Sequence, residues 1–296
     1  MRKKWSWFSI FNYTLLAVFA FSTLYPFIYI LAYSLSDGAE AMKHPIYFLP
    51  RGFTFENYIQ IFQDSTFLNA YVITVSRTVI GTSLHVFLSA LFAYALTKKD
   101  LPGRSFFTFF IFIPSIFSGG MIPNFILFRE LGLINNFWVY VFPFLFSFFH
   151  IIIIRTFFDQ LPKSLEESAQ IDGASNFRIF MSIILPLSRP VLATIALFQG
   201  VFHWNDWFTG AYFVTDEALR PVQTLLNELL TESEALANAA QRSSQSGTTV
   251  SSGLINVTPE SLRMATLIIA TLPIICIYPF LQKYFVKGVM VGSIKG

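Results

Sequence analysis

The chain is poor in charge and nearly free of cysteine. Asp, Glu, Lys and Arg together supply 12% of its 296 residues, where a soluble domain carries about 25%. So few charged groups cannot cover a surface that faces water, which excludes an ordinary soluble fold. The single cysteine, Cys276, lies in an apolar stretch. One thiol closes no internal disulfide and marks no metal site, so it reads as a small hydrophobe. The sequence has no Gly-x-x-x-x-Gly-Lys-Ser/Thr loop to cradle phosphates and no His-Glu-x-x-His helix. No nucleophile–base pair or cysteine–histidine set stands out either, so an enzyme is not expected. The net charge of +3 follows from where the basic residues sit and signals no nucleic acid.

Apolar residues are abundant instead, at 54% of the chain, with 36 phenylalanines. A spanning helix needs about 20 mostly apolar residues. Six stretches qualify, at about 8–31, 67–96, 106–128, 137–154, 191–214 and 264–285. The fold class expected is an all-α polytopic membrane protein with six transmembrane helices, residues 1–296 forming one transmembrane domain. The first stretch follows Arg2, Lys3 and Lys4, as a signal peptide would, but its apolar part is too long and no small-residue cleavage site follows. It reads as an uncleaved span. With both termini in the cytoplasm, 13 of the 20 Lys and Arg fall on the inner side and six on the outer, with Arg77 inside a span. Two outer loops are long. Loop 36–66 holds Pro45, Pro50 and Gly52, and loop 215–262 begins with a helical pattern over 222–230. The second continues into the polar run 241–249, a flexible excursion by composition.

The inner segment 160–190 carries the most information. Ser164 and Glu167 have the spacing of a capping box. Gly173 stands where a short helix would end in a left-handed residue. Ser175 is placed to cap a second short helix, with Phe177, Phe180 and Ile184 on one face and Pro186 and Pro190 to stop it. The expected product is a helix–turn–helix knob on the inner surface. Such a knob lies on lipid or docks in a protein groove. Glu166, Glu167 and Asp172 offset Lys163 and Arg178, and that balance favours a protein groove over an anionic lipid surface.

The segment resembles the loop shared by the permease subunits of ABC importers. That pattern is Glu-Ala-Ala, three residues, Gly, nine residues, Ile, one residue, Leu-Pro. Here it reads Glu167-Ser168-Ala169, three residues, Gly173, nine residues, Ile183, one residue, Leu185-Pro186. Ser168 in place of the middle Ala is the one departure. Asp172-Gly173-Ala174, Leu185-Pro186-Leu187-Ser188, Trp204-Asn205-Asp206-Trp207 and the closing stretch from Gln282 resemble the maltose-type sugar branch. Leu24-Tyr25-Pro26-Phe27 and the stretch Pro221–Asn227 are similar to a sub-branch for complex or acidic oligosaccharides. The resemblance covers nearly the whole chain. It implies a homologous second permease subunit, two ATPase subunits that bind ATP and Mg, and an extracellular solute-binding protein, with no cofactor on this chain. The ATPase contact would fall on Glu166, Glu167, Ser168, Ala169, Asp172, Gly173, Phe177, Ile183, Leu185 and Pro186.

Polar residues inside spans are costly unless they face a cavity or a partner. His203, Trp204, Asn205, Asp206 and Trp207 combine hydrogen-bonding groups with aromatic faces. They read either as a sugar-contact site on the pathway or as a buried cluster holding helices together. Arg77 and His85 share one helix face, eight residues apart, and read as packing or interface groups. Gly119 and Gly120, between Pro114 and Pro123, either expose backbone to a pathway cavity or mark a kink. His150 has no evident partner. An importer of another solute and an ion-coupled transporter are the rival readings; the latter needs buried carboxylates near mid-membrane, and only Asp206 approaches that.

Overall fold

The computed structural model describes residues 7–231 and 258–293. Among these the secondary structure is helical, apart from one isolated bridge between Ser36 and Phe53. The helices are α1 (Trp7–Ser34), α2 (Gly38–Lys43), α3 (Glu56–Gln63), α4 (Ser65–Thr97), α5 (Arg104–Ile116), α6 (Met121–Glu130), α7 (Phe148–Phe158), α8 (Lys163–Ile171), α9 (Asn176–Leu187), α10 (Arg189–Asn205), α11 (Phe208–Phe213), α12 (222–231) and α13 (Pro259–Ser293). Two short 3₁₀ turns, Phe137–Tyr140 and Phe142–Phe144, precede α7. The polar run 241–249 lies outside the described residues.

The chain divides into two compact units, 1–67 with 226–272, and 68–225 with 273–296. In the first, α1 is apolar on every side and buries only its end, Ala32, Tyr33 and Ser34. A helix that is apolar all round and left uncovered is a membrane span. The loop that follows is less irregular than its prolines suggest. Asp37 caps α2 by accepting from the Ala39 and Glu40 amides, and α3 adds a second short helix. The fully buried Asn57 amide donates to the Ser34 and Ser36 carbonyls at 2.9 and 3.0 Å. Its carbonyl accepts from the Ser261 hydroxyl at 2.8 Å, which ties α3 to the start of α13. Ala32, Tyr33, Ala41, Ile46 and Met264 pack around this network.

The second unit is built on α4, which is 33 residues long. Three helical stretches are long and apolar enough to span: α1, α4 and residues Pro259–Ile277 of α13. The other three apolar stretches of the sequence are broken. The stretch 106–128 divides into α5 and α6 at residues 117–120, where Gly120 takes φ 90°. The stretch 137–154 is not one helix: its 3₁₀ turns bend by 52° into α7. Pro143 inside those turns has no N–H to continue a ladder. The stretch 191–214 ends as α10 at Asn205 and resumes as the short α11. Ahead of it, α9 meets α10 at 81°. Backbone freed by such breaks is tolerated at membrane depth only where other groups satisfy it.

Candidate functional site

The segment 160–190 folds into the expected helix–turn–helix knob, with differences in detail. Ser164 does not cap α8. The cap is Pro162, two residues earlier, and it makes no side-chain bond. Proline has no N–H to leave unsatisfied and its fixed φ suits a helix start. The earlier start places Ser164 inside the first turn and turns Glu166 toward Lys98. At the other end, Gly173 takes φ 78°. The Gly173 amide donates to the Gln170 carbonyl at 3.0 Å and the Ala174 amide to Ala169 at 2.9 Å. These two bonds are a Schellman turn, which needs a left-handed residue. Ser175 caps α9, accepting from the Arg178 amide at 3.4 Å.

The knob is fused to the unit behind it. Ile179, Phe180 and Ile184 are fully buried among Ala90, Ala93, Tyr94 and Leu96 of α4, Ile151 and Ile154 of α7, and Ile195 of α10. Phe180 stacks on Tyr94 at 5.4 Å between centroids. Phe180 and Ile184 share this buried face with Ile179, whereas Phe177 parts from them and is 58% exposed. Pro186 does not stop α9, which runs on to Leu187. Residues Phe180–Ile184 open into a wide π turn instead, since the proline ring presses on the carbonyl four residues back.

Of the residues assigned to the ATPase contact, Glu167, Ser168, Asp172, Gly173, Phe177 and Pro186 are exposed on the knob. Ala169, Ile183 and Leu185 pack partly against the core. Glu166 faces inward and pairs with Lys98, whose ammonium lies 4.4 Å from the Tyr94 ring centre. Burial pulls the Lys98 pKa down, but the Glu166 carboxylate and Tyr94 outweigh it and the net shift is upward. Ile171, not singled out in the sequence, projects from the tip at 88% exposed.

Deeper in the same unit, the structure gathers Arg77, His203, Trp204 and Asp206. Arg77 is fully buried on α4; its Nη1 pairs with Asp206 Oδ2 at 3.5 Å and its Nη2 donates to the Asp206 carbonyl at 2.5 Å. The guanidinium also lies 5.0 Å from the Tyr140 ring centre. Asp206 Oδ1 accepts from the Thr209 amide at 3.1 Å, so this one side chain sits at the end of α10 and the start of α11. His203 is buried against α4, where Gly81 makes room for it: a Cβ there would lie 2.5 Å from His203 Nε2. Its Nε2 meets Gln199 Nε2 at 3.1 Å. Trp204 meets Tyr71 edge-on at 6.0 Å. Asn205 and Trp207 are exposed. Gly119 and Gly120 lie apart, in the break between α5 and α6, with Pro123 the nearest group to Gly119.

One polar pair was missed in the sequence. His150, on α7, meets His85, on α4, with Nδ1 2.8 Å from His85 Nε2. His85 Nδ1 lies 2.8 Å from the Phe144 carbonyl, which the bend before α7 leaves without a helical partner. The partners are 65 residues apart in sequence, and the only local signal is Pro143.

Residues 85–291 match the family described as binding-protein-dependent transport system inner membrane component. Protein LplC of Bacillus subtilis is 39% identical over 275 residues, covering 93% of this chain and 90% of its own length. The polygalacturonan/rhamnogalacturonan transport system permease protein YtcP of the same organism is 37% identical over 290 residues, covering 98% of each chain. Among solved structures, a chain of a bacterial ABC transporter involved in the import of the acidic polysaccharide alginate superposes with a TM-score of 0.84. It has 32% identity and the match covers 96% of this chain and 99% of that one. With the knob, the broken spans and the apolar helices in place, this chain belongs to the family of binding-protein-dependent transport system inner membrane components.

Proposed function

We propose that the chain is the permease subunit of an ABC importer for oligosaccharides, with fragments of acidic polysaccharides as the favoured cargo. The relatives named for polygalacturonan, rhamnogalacturonan and alginate support the cargo class. In this reading residues 1–296 act as one domain with six spans and both termini in the cytoplasm. A second permease subunit completes the pathway. Two ATPase subunits bind ATP and Mg beneath it, and an extracellular solute-binding protein delivers the sugar.

The observation that carries the reading is the build of the knob. Its outer edge leaves Glu167, Ser168, Ile171 and Asp172 exposed, while its inner edge is locked into α4, α7 and α10. A contact that must pass force needs an exposed grip and a stiff mount, and this segment has both. An ion-coupled transporter is less well supported, because the carboxylate in the fifth stretch, Asp206, is already held by Arg77 and the Thr209 amide.

The test replaces Gly173 with Val. A left-handed backbone costs an ordinary residue about 1–2 kcal/mol, and a β-branched one more, so the turn between α8 and α9 should open. The expected result is a permease that still inserts but loses its co-purifying ATPase, or keeps it without sugar-stimulated ATP hydrolysis. Full retention of both would remove the knob from the mechanism.

A further inference from the structure

The two histidines line a cavity that no role above uses. It holds about 340 Å³ and lies between α4, α7 and α10, beside the bend that precedes α7. Ligand pockets begin at about 300 Å³. Its walls include the rings of Phe144, Phe198 and Phe202, and its polar groups come from His85, Ser147, His150 and Gln199. No lining residue carries a fixed charge.

The hydrogen bonds fix which way each ring faces. The Phe144 carbonyl can only accept, so His85 Nδ1 donates to it. His85 is fully buried and its partners are a carbonyl and a second imidazole. A charge there would lack a counter-ion and cost several kcal/mol, so the ring is neutral and its Nε2 is an acceptor. His150 Nδ1 must therefore donate to it, and this leaves His150 Nε2 as a lone pair. Among the described residues nothing donates to that atom. A cavity with aromatic walls and one oriented acceptor suits a sugar ring: its C–H face lies on the phenyl groups and a hydroxyl donates to the nitrogen.

We propose that this cavity is a sugar-contact subsite of the permease, in which a ring hydroxyl donates to His150 Nε2 against the Phe202 face. The proposal rests on the oligosaccharide reading and deepens it. With an acceptor and no cation in its wall, the subsite takes the hydroxyl-bearing face of a sugar, not the carboxylate of a uronic acid.

Two substitutions separate a ligand role from a structural one. His150→Asn keeps a donor near the position of Nδ1, and so the bond to His85, but removes the acceptor at Nε2. His150→Gln places an oxygen near Nε2 and gives up the bond to His85. The assembled transporter is reconstituted in vesicles, and uptake of labelled trigalacturonate is measured per ATP hydrolysed. Losing one hydrogen bond of about 1.4 kcal/mol corresponds to a tenfold effect. The expected result is a roughly tenfold fall for H150N, near wild-type uptake for H150Q, and a clear fall for Phe202→Leu, with ATP hydrolysis and assembly intact in all three. The reverse order, H150N normal and H150Q impaired, would make the pair a brace for the bend and overturn the proposal. So would wild-type uptake in all three variants. If the wild-type complex hydrolyses ATP but moves no oligosaccharide, the cargo reading fails and the subsite with it. Wild-type uptake with insensitive variants removes the subsite alone.

Discussion

Asp206→Asn isolates one charge in the membrane-embedded cluster. Asparagine keeps an oxygen for the Thr209 amide, so that bond to the first turn of α11 is retained. The change leaves Arg77, which has no exposed side-chain surface, without its counter-charge. Two of its contacts survive: the 2.5 Å bond to the carbonyl of residue 206 and the Tyr140 ring at 5.0 Å. Breaking a buried ion pair on one side costs about 3–5 kcal/mol. With two contacts retained, the lower end, about 3 kcal/mol, is the expected loss. Replacing both residues, in Arg77→Met with Asp206→Asn, removes the orphaned cation and should recover at least half of that loss. The assay is the apparent melting temperature of the detergent-solubilised permease, followed by fluorescence-detected size exclusion. A single variant that melts with wild type would refute the buried-pair reasoning. So would a double variant whose loss equals the sum of the two single ones, since coupled neighbours are not additive.

At Gly81, Ala would push a methyl into His203, where the contact would be 2.5 Å; the expected loss is about 1–3 kcal/mol from overpacking, read in the same melting assay. The Lys98–Glu166 pair should hold α8 steadily across neutral pH. The folded-state pKa of Lys98 lies above its ordinary 10.5, so its contribution is complete below that value and fades as pH rises through the higher, folded value. Amide exchange in α8, corrected for intrinsic rate, should therefore be flat from pH 6 to 9 in wild type and faster throughout in Lys98→Met; protection that changes between pH 6 and 9 would contradict the assignment.

Composition made the membrane class legible, because 12% charge leaves no other solvent for so many phenylalanines. The knob was legible because its signals are local: Gly173, Ser175 and the spacing around them act within a few residues. Ser164 misled because a capping box competes with any earlier start, and Pro162 offered one at no cost in donors. The break at 117–120 was marked by two glycines and two prolines, whereas the bend before α7 had only Pro143 to mark it in an otherwise apolar run. The partners within the spans were not legible at all. Arg77 and Asp206 lie 129 residues apart, and His85 and His150 meet only because a bent backbone leaves a carbonyl to be satisfied. Periodicity says which face of a helix is polar but not which helix will answer it.

Ile171 has a bearing on how such a transporter must be made. At 88% exposed on the tip of the knob, it is an apolar side chain held out by a stiff mount that cannot fold it away. In the importer proposed above, a copy of this chain inserted without its ATPase keeps that tip wet and offers other unfinished proteins an adhesive spot. In that reading, synthesis of the permease matched to that of its ATPase would keep the interval of exposure short. Excess permease is then the harmful imbalance, and excess ATPase the benign one.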